Sequence, residues 1–203
     1  MTASDNRAHL LLQMYDQMWR NIDRHIIVVW QSVVVVISAV AAPILSKLQS
    51  SSMDLAVSVL ILICGWGIAQ ALDGTYWYNR NLVIIANIER EFLTRQDLKD
   101  IHYYFGRHRG NKMIEHQMIQ VVLSATIAVV FLLFHFKERI LPDLSLHNRF
   151  DPYRAMPYIL TVIVVSLLLL FKARTDQKYE QLRKNSPGKE ITATTLEPQA
   201  KPA

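Results

Sequence analysis

Side chains able to do chemistry are few in this chain of 203 residues, and their spacing matches no catalytic pattern. The sequence has no HExxH, no GxSxG and no phosphate-binding glycine loop, the spacings that set a zinc site, a nucleophile or a nucleotide cradle. His135, Asp143, His147 and Asp151 gather around one connection. They lack the tight ligand spacing of a metal site, so no metal and no cofactor is expected. The single cysteine, Cys64, cannot form an intramolecular disulfide and reads as a small apolar filler.

Three amides stand out because each interrupts an apolar run: Gln31, Gln70 and Gln120. An amide in hydrocarbon seeks a partner, and each bond gains about 0.6 to 2 kcal/mol. The plainer expectation is a polar clamp between helices. The sharper one is a polar ring at one level of an oligomeric pore, with Gln120, Ser124 and Ala128 giving one helix a polar stripe. Small residues recur at four-residue spacing: Ser38 and Ala42, Gly65 and Ala69, Ser124 and Ala128. That spacing lets helix backbones approach closely in a bilayer, and packing is the expected role. A basic cluster of His102, Arg107, His108, Arg109 and Lys112 is suited to anionic lipid headgroups, or to a phosphorylated small molecule. No motif for nucleic acid accompanies it.

The elements that must position these residues are set by hydropathy. Half of the chain (51%) is hydrophobic, a share that a soluble domain could also have, so the distribution decides. The apolar residues gather in four blocks, Ile26–Leu45, Leu55–Leu72, Met118–Phe136 and Ala155–Phe171, none of which holds Asp, Glu, Lys or Arg. A bilayer core about 30 Å thick needs roughly 20 such residues in a helix, with about 17 as the lower end. A soluble helix of this length would carry a polar stripe. The expected fold is all-α, a four-helix transmembrane protein built from two membrane hairpins, with cytoplasmic helical extensions. Ala39-Val40-Ala41 resembles a signal-peptide cleavage site, but about 25 mostly polar residues precede the first block, and retention as a span is expected.

Charge sets the orientation. Of the 22 Lys and Arg residues, 17 fall in the N-terminal segment, the connection 73–117 and the C-terminal tail, leaving 5 for the other two loops. Cytoplasmic loops are enriched in these residues, so both termini and the long connection are expected in the cytoplasm, in a bacterial inner (plasma) membrane. The divisions follow: 1–25 a cytoplasmic amphipathic helix; 26–72 the first hairpin; 73–117 a cytoplasmic helical connection; 118–171 the second hairpin, with outer loop 137–154; 172–203 a cytoplasmic tail, disordered from about 185. Leu11, Met14, Met18 and Ile22 share one side of the leading helix, as do Tyr78, Leu82, Ile85, Ile88 and Phe92 after the second span. Packing of these two extensions against each other is expected over a flat interfacial placement.

The layout from Arg7 to Phe92 resembles the SLATT group of small bacterial membrane proteins of conflict systems. The residues that carry it are Tyr15-Asp16-Gln17-Met18-Trp19-Arg20 before the hairpin and Tyr76–Phe92 (YWYNRNLVIIANIEREF) after it. The resemblance covers less than half of the chain and implies pore formation triggered by a partner protein. The second hairpin, Met118–Phe171, is a departure from that pattern. The function expected is therefore a non-enzymatic, homo-oligomeric membrane protein acting as a pore-forming or signalling effector, with the bilayer and a cytoplasmic protein as partners. The alternative is a small transporter or ligand-responsive sensor using the basic cluster.

Overall fold

The computed structural model describes residues 3–45, 50–93, 97, 110–143 and 152–186. They are helical throughout, apart from short turns. Helix α1 spans Ala3–Leu45, α2 Ser50–Phe92, α3 Glu115–His135 and α4 Pro152–Lys184. A π turn, Phe136–Ile140, and a 3-10 turn, Leu141–Asp143, continue α3. All four helices are long and apolar enough to cross a membrane. Their outward surfaces carry Val34, Ile119, Leu133, Val162 and Leu169, each more than 60% exposed. A water-soluble protein would not leave apolar faces of that extent uncovered. The chain is a multi-pass membrane protein.

Helices α1, α2 and α4 run well beyond the apolar blocks. No proline interrupts α2, and Pro152 opens α4 at the first helical position, where its missing N–H costs no bond. The tail expected from residue 172 is helical as far as Lys184, and residues 187–203 lie outside the described residues.

The chain divides into two compact units. One holds residues 1–26, 75–112 and 175–203. Its core is Ile22 against Leu82 and Ile85, with Tyr15, Met18, Trp19 and Tyr78 packed around them. The start of α1 thus packs on the end of α2. Glu89 accepts from the Tyr15 hydroxyl at 3.2 Å, and Arg7 pairs with Glu91 at 2.9 Å on the exposed rim. Glu89 lies about 25 Å of helix beyond the apolar block. Burial raises its carboxyl above the ordinary range, against the smaller downward pull of the Tyr15 hydrogen bond. The Trp77 ring stacks on His25 at 5.6 Å and carries Arg80 over it at 5.0 Å.

The other unit holds residues 27–74 and 113–174. In it α2 is the most enclosed helix, with 44% of its most apolar window buried against 6% for α4. Two glycines allow this. A Cβ on Gly74 would stand 2.9 Å from Val29 and 3.2 Å from Gln117 Nε2; one on Gly67 would stand 3.2 Å from Val36 and 3.5 Å from Ser124 Oγ. Seven residues, two helical turns, separate the members of each pair. The side chains of α1 and α3 therefore converge on one glycine-lined face of α2 in fixed register.

Candidate functional site

The inward face of α3 reads Gln117, Gln120, Ser124, then Ile127, Ala128 and Phe131, then His135. The spacing of three and four residues places them in one line along the helix. The line has three parts.

The first part is polar. Gln117, Gln120 and Ser124 are all buried. The Ile114 backbone N–H donates to Gln117 Oε1 at 3.4 Å, which closes the first turn of α3. Halfway between the Gly74 and Gly67 contacts, Gln120 faces the level of Ala71, which is fully buried, and of Ser32, whose hydroxyl donates to Val29 O at 2.6 Å. Both amide atoms of Gln120 lack a hydrogen-bond partner. Leaving such a group unsatisfied costs about 1–3 kcal/mol.

The second part is apolar. Val36, Leu60 and Cys64 are buried together, and Ile127, Ala128 and Phe131 pack against them. This band separates the polar row from the third part by about 16 Å of helix between Ser124 and His135.

The third part is charged. The Asp54 carboxylate accepts from both arms of Arg139, Nε to Oδ1 at 3.0 Å and Nη2 to Oδ2 at 3.0 Å. His135 Nε2 lies 2.9 Å from Oδ1, so that ring nitrogen carries the proton and donates. On the other side of the ring, Nδ1 lies 3.1 Å from the Tyr158 hydroxyl, which also reaches Leu132 O at 3.4 Å. His135 is fully buried, and Asp54 is 5% exposed. Arg139 can reach back because the π turn carries α3 one turn past His135. Arg154 Nη1 donates to Arg139 O at 3.5 Å. One carboxylate thus ties together the start of α2, the end of α3 and, through the ring, the start of α4. The bidentate guanidinium–carboxylate pair is the strong form of such a bond.

The residues singled out by sequence are distributed unequally. The register puts Gln31, Gln70 and Gln120 within about one helical turn of a common level, but on different sides. Gln120 is interior, Gln70 half-buried, and Gln31 exposed on the outer surface of α1. Within the protomer they form neither a clamp nor a ring. Ser124 joins the polar row, and Ala128 packs against the apolar band. Gly65 meets Val164 of α4, with no room for a side chain, and Ala69 lines the same α2–α4 boundary. Ser38 is exposed, its hydroxyl turned back to Val34 O at 2.8 Å. The Ala42 side chain and residues His102, Arg107, His108 and Arg109 lie outside the described residues. Lys112 is exposed, and its carbonyl accepts from Asn79 Nδ2 at 3.0 Å.

Sequence reasoning grouped His135 with Asp143, His147 and Asp151 and placed Asp54 and Arg139 in loops. A signal was present. Asp54 immediately precedes the second apolar block and Arg139 closely follows the third, so antiparallel neighbours would bring them to one level. Among the described residues no group of three His, Cys, Asp or Glu could hold a metal ion. No family model, curated protein or solved structure matches the chain.

Proposed function

We propose that this protein is a non-enzymatic membrane effector that conducts a small polar species or transmits a signal through the α2–α3 boundary, and that it is held in its resting state by Asp54. The observation that carries this reading is the buried Asp54–His135–Arg139 group. Ionisable residues buried at the end of an apolar span are costly to keep, and such groups mark candidate functional sites. Its place in the line adds to the argument. A polar row, an apolar band and a charged latch in sequence along one helix face make the layout of a path closed by a hydrophobic constriction. Release of Asp54 would free α2 to move against α3 and part Leu60 and Cys64 from Phe131.

The protein works as a homo-oligomer in this reading. Gln31 on the outer surface of α1 presents an amide to lipid, and a second copy is the partner that would satisfy it. Both termini and the 73–117 connection face the cytoplasm of a bacterial inner membrane, in keeping with the distribution of Lys and Arg. The resemblance of Arg7–Phe92 to pore-forming conflict proteins supports a trigger by a cytoplasmic partner.

Dye and ion flux from liposomes tests the proposal. Asp54→Asn should leak at a rate at least tenfold above the wild type at equal protein, and Gln120→Leu in the same background should reduce it. Equal, background-level flux from wild type and Asp54→Asn would remove the pore reading. Tags at Thr2 and Ala203 reporting opposite compartments would remove the topology.

A further inference from the structure

A second feature of the membrane unit lies away from the α3 line. Between α2 and α4 runs a groove of about 470 Å³. Gly65 forms its narrowest point, where a Cβ would run into Val164 Cγ1; Trp66 and Ala69 of α2 and Leu168 and Phe171 of α4 form its walls. It ends at Arg174. From Val164 to Arg174 the helix rises about 15 Å, half the thickness of a hydrocarbon core. The lining is apolar along the whole of that length and cationic only at its end.

We propose that this groove is a binding site for one anionic phospholipid, with an acyl chain lying between Trp66 and Phe171 and the phosphate held by Arg174. Charge complementarity selects the occupant. Arg174 is exposed, and among the described residues no carboxylate pairs with it. A guanidinium at the mouth of an apolar slot matches a molecule that joins a hydrocarbon tail to a phosphate, and its planar fork suits phosphate oxygens. A neutral bilayer lipid would fill the slot equally well with its chain but gains less at the mouth. A single basic residue near an anionic headgroup corresponds to a preference of about fivefold.

Trp66 supplies the readout, since it lines the groove and is 44% exposed. The full chain is reconstituted in bilayers of phosphatidylcholine with a small mole fraction of brominated phosphatidylglycerol or brominated phosphatidylcholine. The Trp66 signal is taken as the difference between the wild type and Trp66→Phe. Brominated phosphatidylglycerol should reach half-maximal quenching at about fivefold lower mole fraction than brominated phosphatidylcholine. Arg174→Gln should abolish that preference while neutral-lipid quenching persists, and Arg174→Lys should retain part of it. Equal quenching by the two lipids in the wild type, no quenching of Trp66 by either, or an unchanged preference in Arg174→Gln would each overturn the site. None of these readings depends on flux, so failure of the pore proposal leaves this one standing or falling by itself.

Discussion

Asp54 and His135 stand 81 positions apart in the chain and meet at 2.9 Å, the ring nitrogen of one donating to a carboxylate that is also gripped from the other side by Arg139. The contact joins the beginning of one membrane helix to the end of the next. Removing one member of such a group leaves a buried charge without compensation, at a cost of about 3–5 kcal/mol, whereas removing both costs far less.

The first prediction follows from that asymmetry. Asp54→Asn and Arg139→Gln should each destabilise the protein by about 3 kcal/mol in unfolding from mild detergent into a denaturing one. The double variant should be more stable than either single one, so the coupling energy should exceed the roughly 3 kcal/mol that each single substitution costs. Additive losses would mean that the two side chains do not act on each other.

Gln120 should behave in the opposite sense. Its amide is buried without a partner, so Gln120→Leu removes an unsatisfied group and should raise stability by about 1–3 kcal/mol. If the row serves permeation or signalling, the same substitution lowers flux. A variant that is less stable than the wild type would show that the amide is satisfied in the bilayer.

The close approach of α2 to its neighbours depends on Gly74. A Cβ there meets Val29 at 2.9 Å, so Gly74→Leu forces the helices apart and should cost about 1–3 kcal/mol. Gly110 provides the contrast. The nearest atom to a Cβ there is the flexible Lys112 side chain at 3.9 Å, and Gly110→Ala should leave the detergent-unfolding midpoint unchanged.

What the sequence made legible follows from the physics of each signal. Four helices long enough to span were readable because a run of apolar residues without charge has no other solvent. The facing of Leu82 and Ile85 toward Ile22 was readable because the apolar period marks one side of each extension. Gln31 and Gln120 looked equivalent because an amide inside an all-apolar run gives depth but no azimuth; only the packing of α1 and α3 on α2 turns one outward and the other inward. Asp54 and Arg139 were hidden for a related reason. Charged residues at the edges of apolar blocks read as loop, and their meeting depends on which helices are neighbours. The helical run of α4 as far as Lys184 has no apolar block to mark it, since basic residues such as Lys178 alternate with few apolar ones, of which Tyr179 is fully buried.

The extension packing carries its own pH dependence. Burial raises the Glu89 carboxyl above its ordinary value of 4.5, so the folded form binds a proton more tightly than the unfolded chain. Stability from this group is complete below the unfolded value and is lost as pH rises through the folded one. Amide exchange of residues 78–92 should therefore be slower at pH 5 than at pH 7 after correction for intrinsic rates, and Glu89→Gln should remove that difference. Protection independent of pH in the wild type would mean that Glu89 is hydrated.

Cys64 reports on the apolar band directly. It is 1% exposed, packed with Val36 and Leu60, and lies between the polar row and the charged latch. A water-soluble methanethiosulfonate reagent should leave it unmodified in the resting protein. If Asp54 holds the band closed, Asp54→Asn should speed the modification at least tenfold, because parting α2 from α3 admits both water and reagent to the thiol. Leu60→Ala is the comparison that separates opening from loosened packing. It creates a cavity beside Cys64 without touching Asp54, and should lower stability by about 2–5 kcal/mol. Reagent reaching the thiol only through global unfolding would modify both variants in proportion to their loss of stability. Reagent reaching it through an opened path would modify Asp54→Asn faster than its stability accounts for. The band is not a gate if the two variants fall on one line of rate against stability.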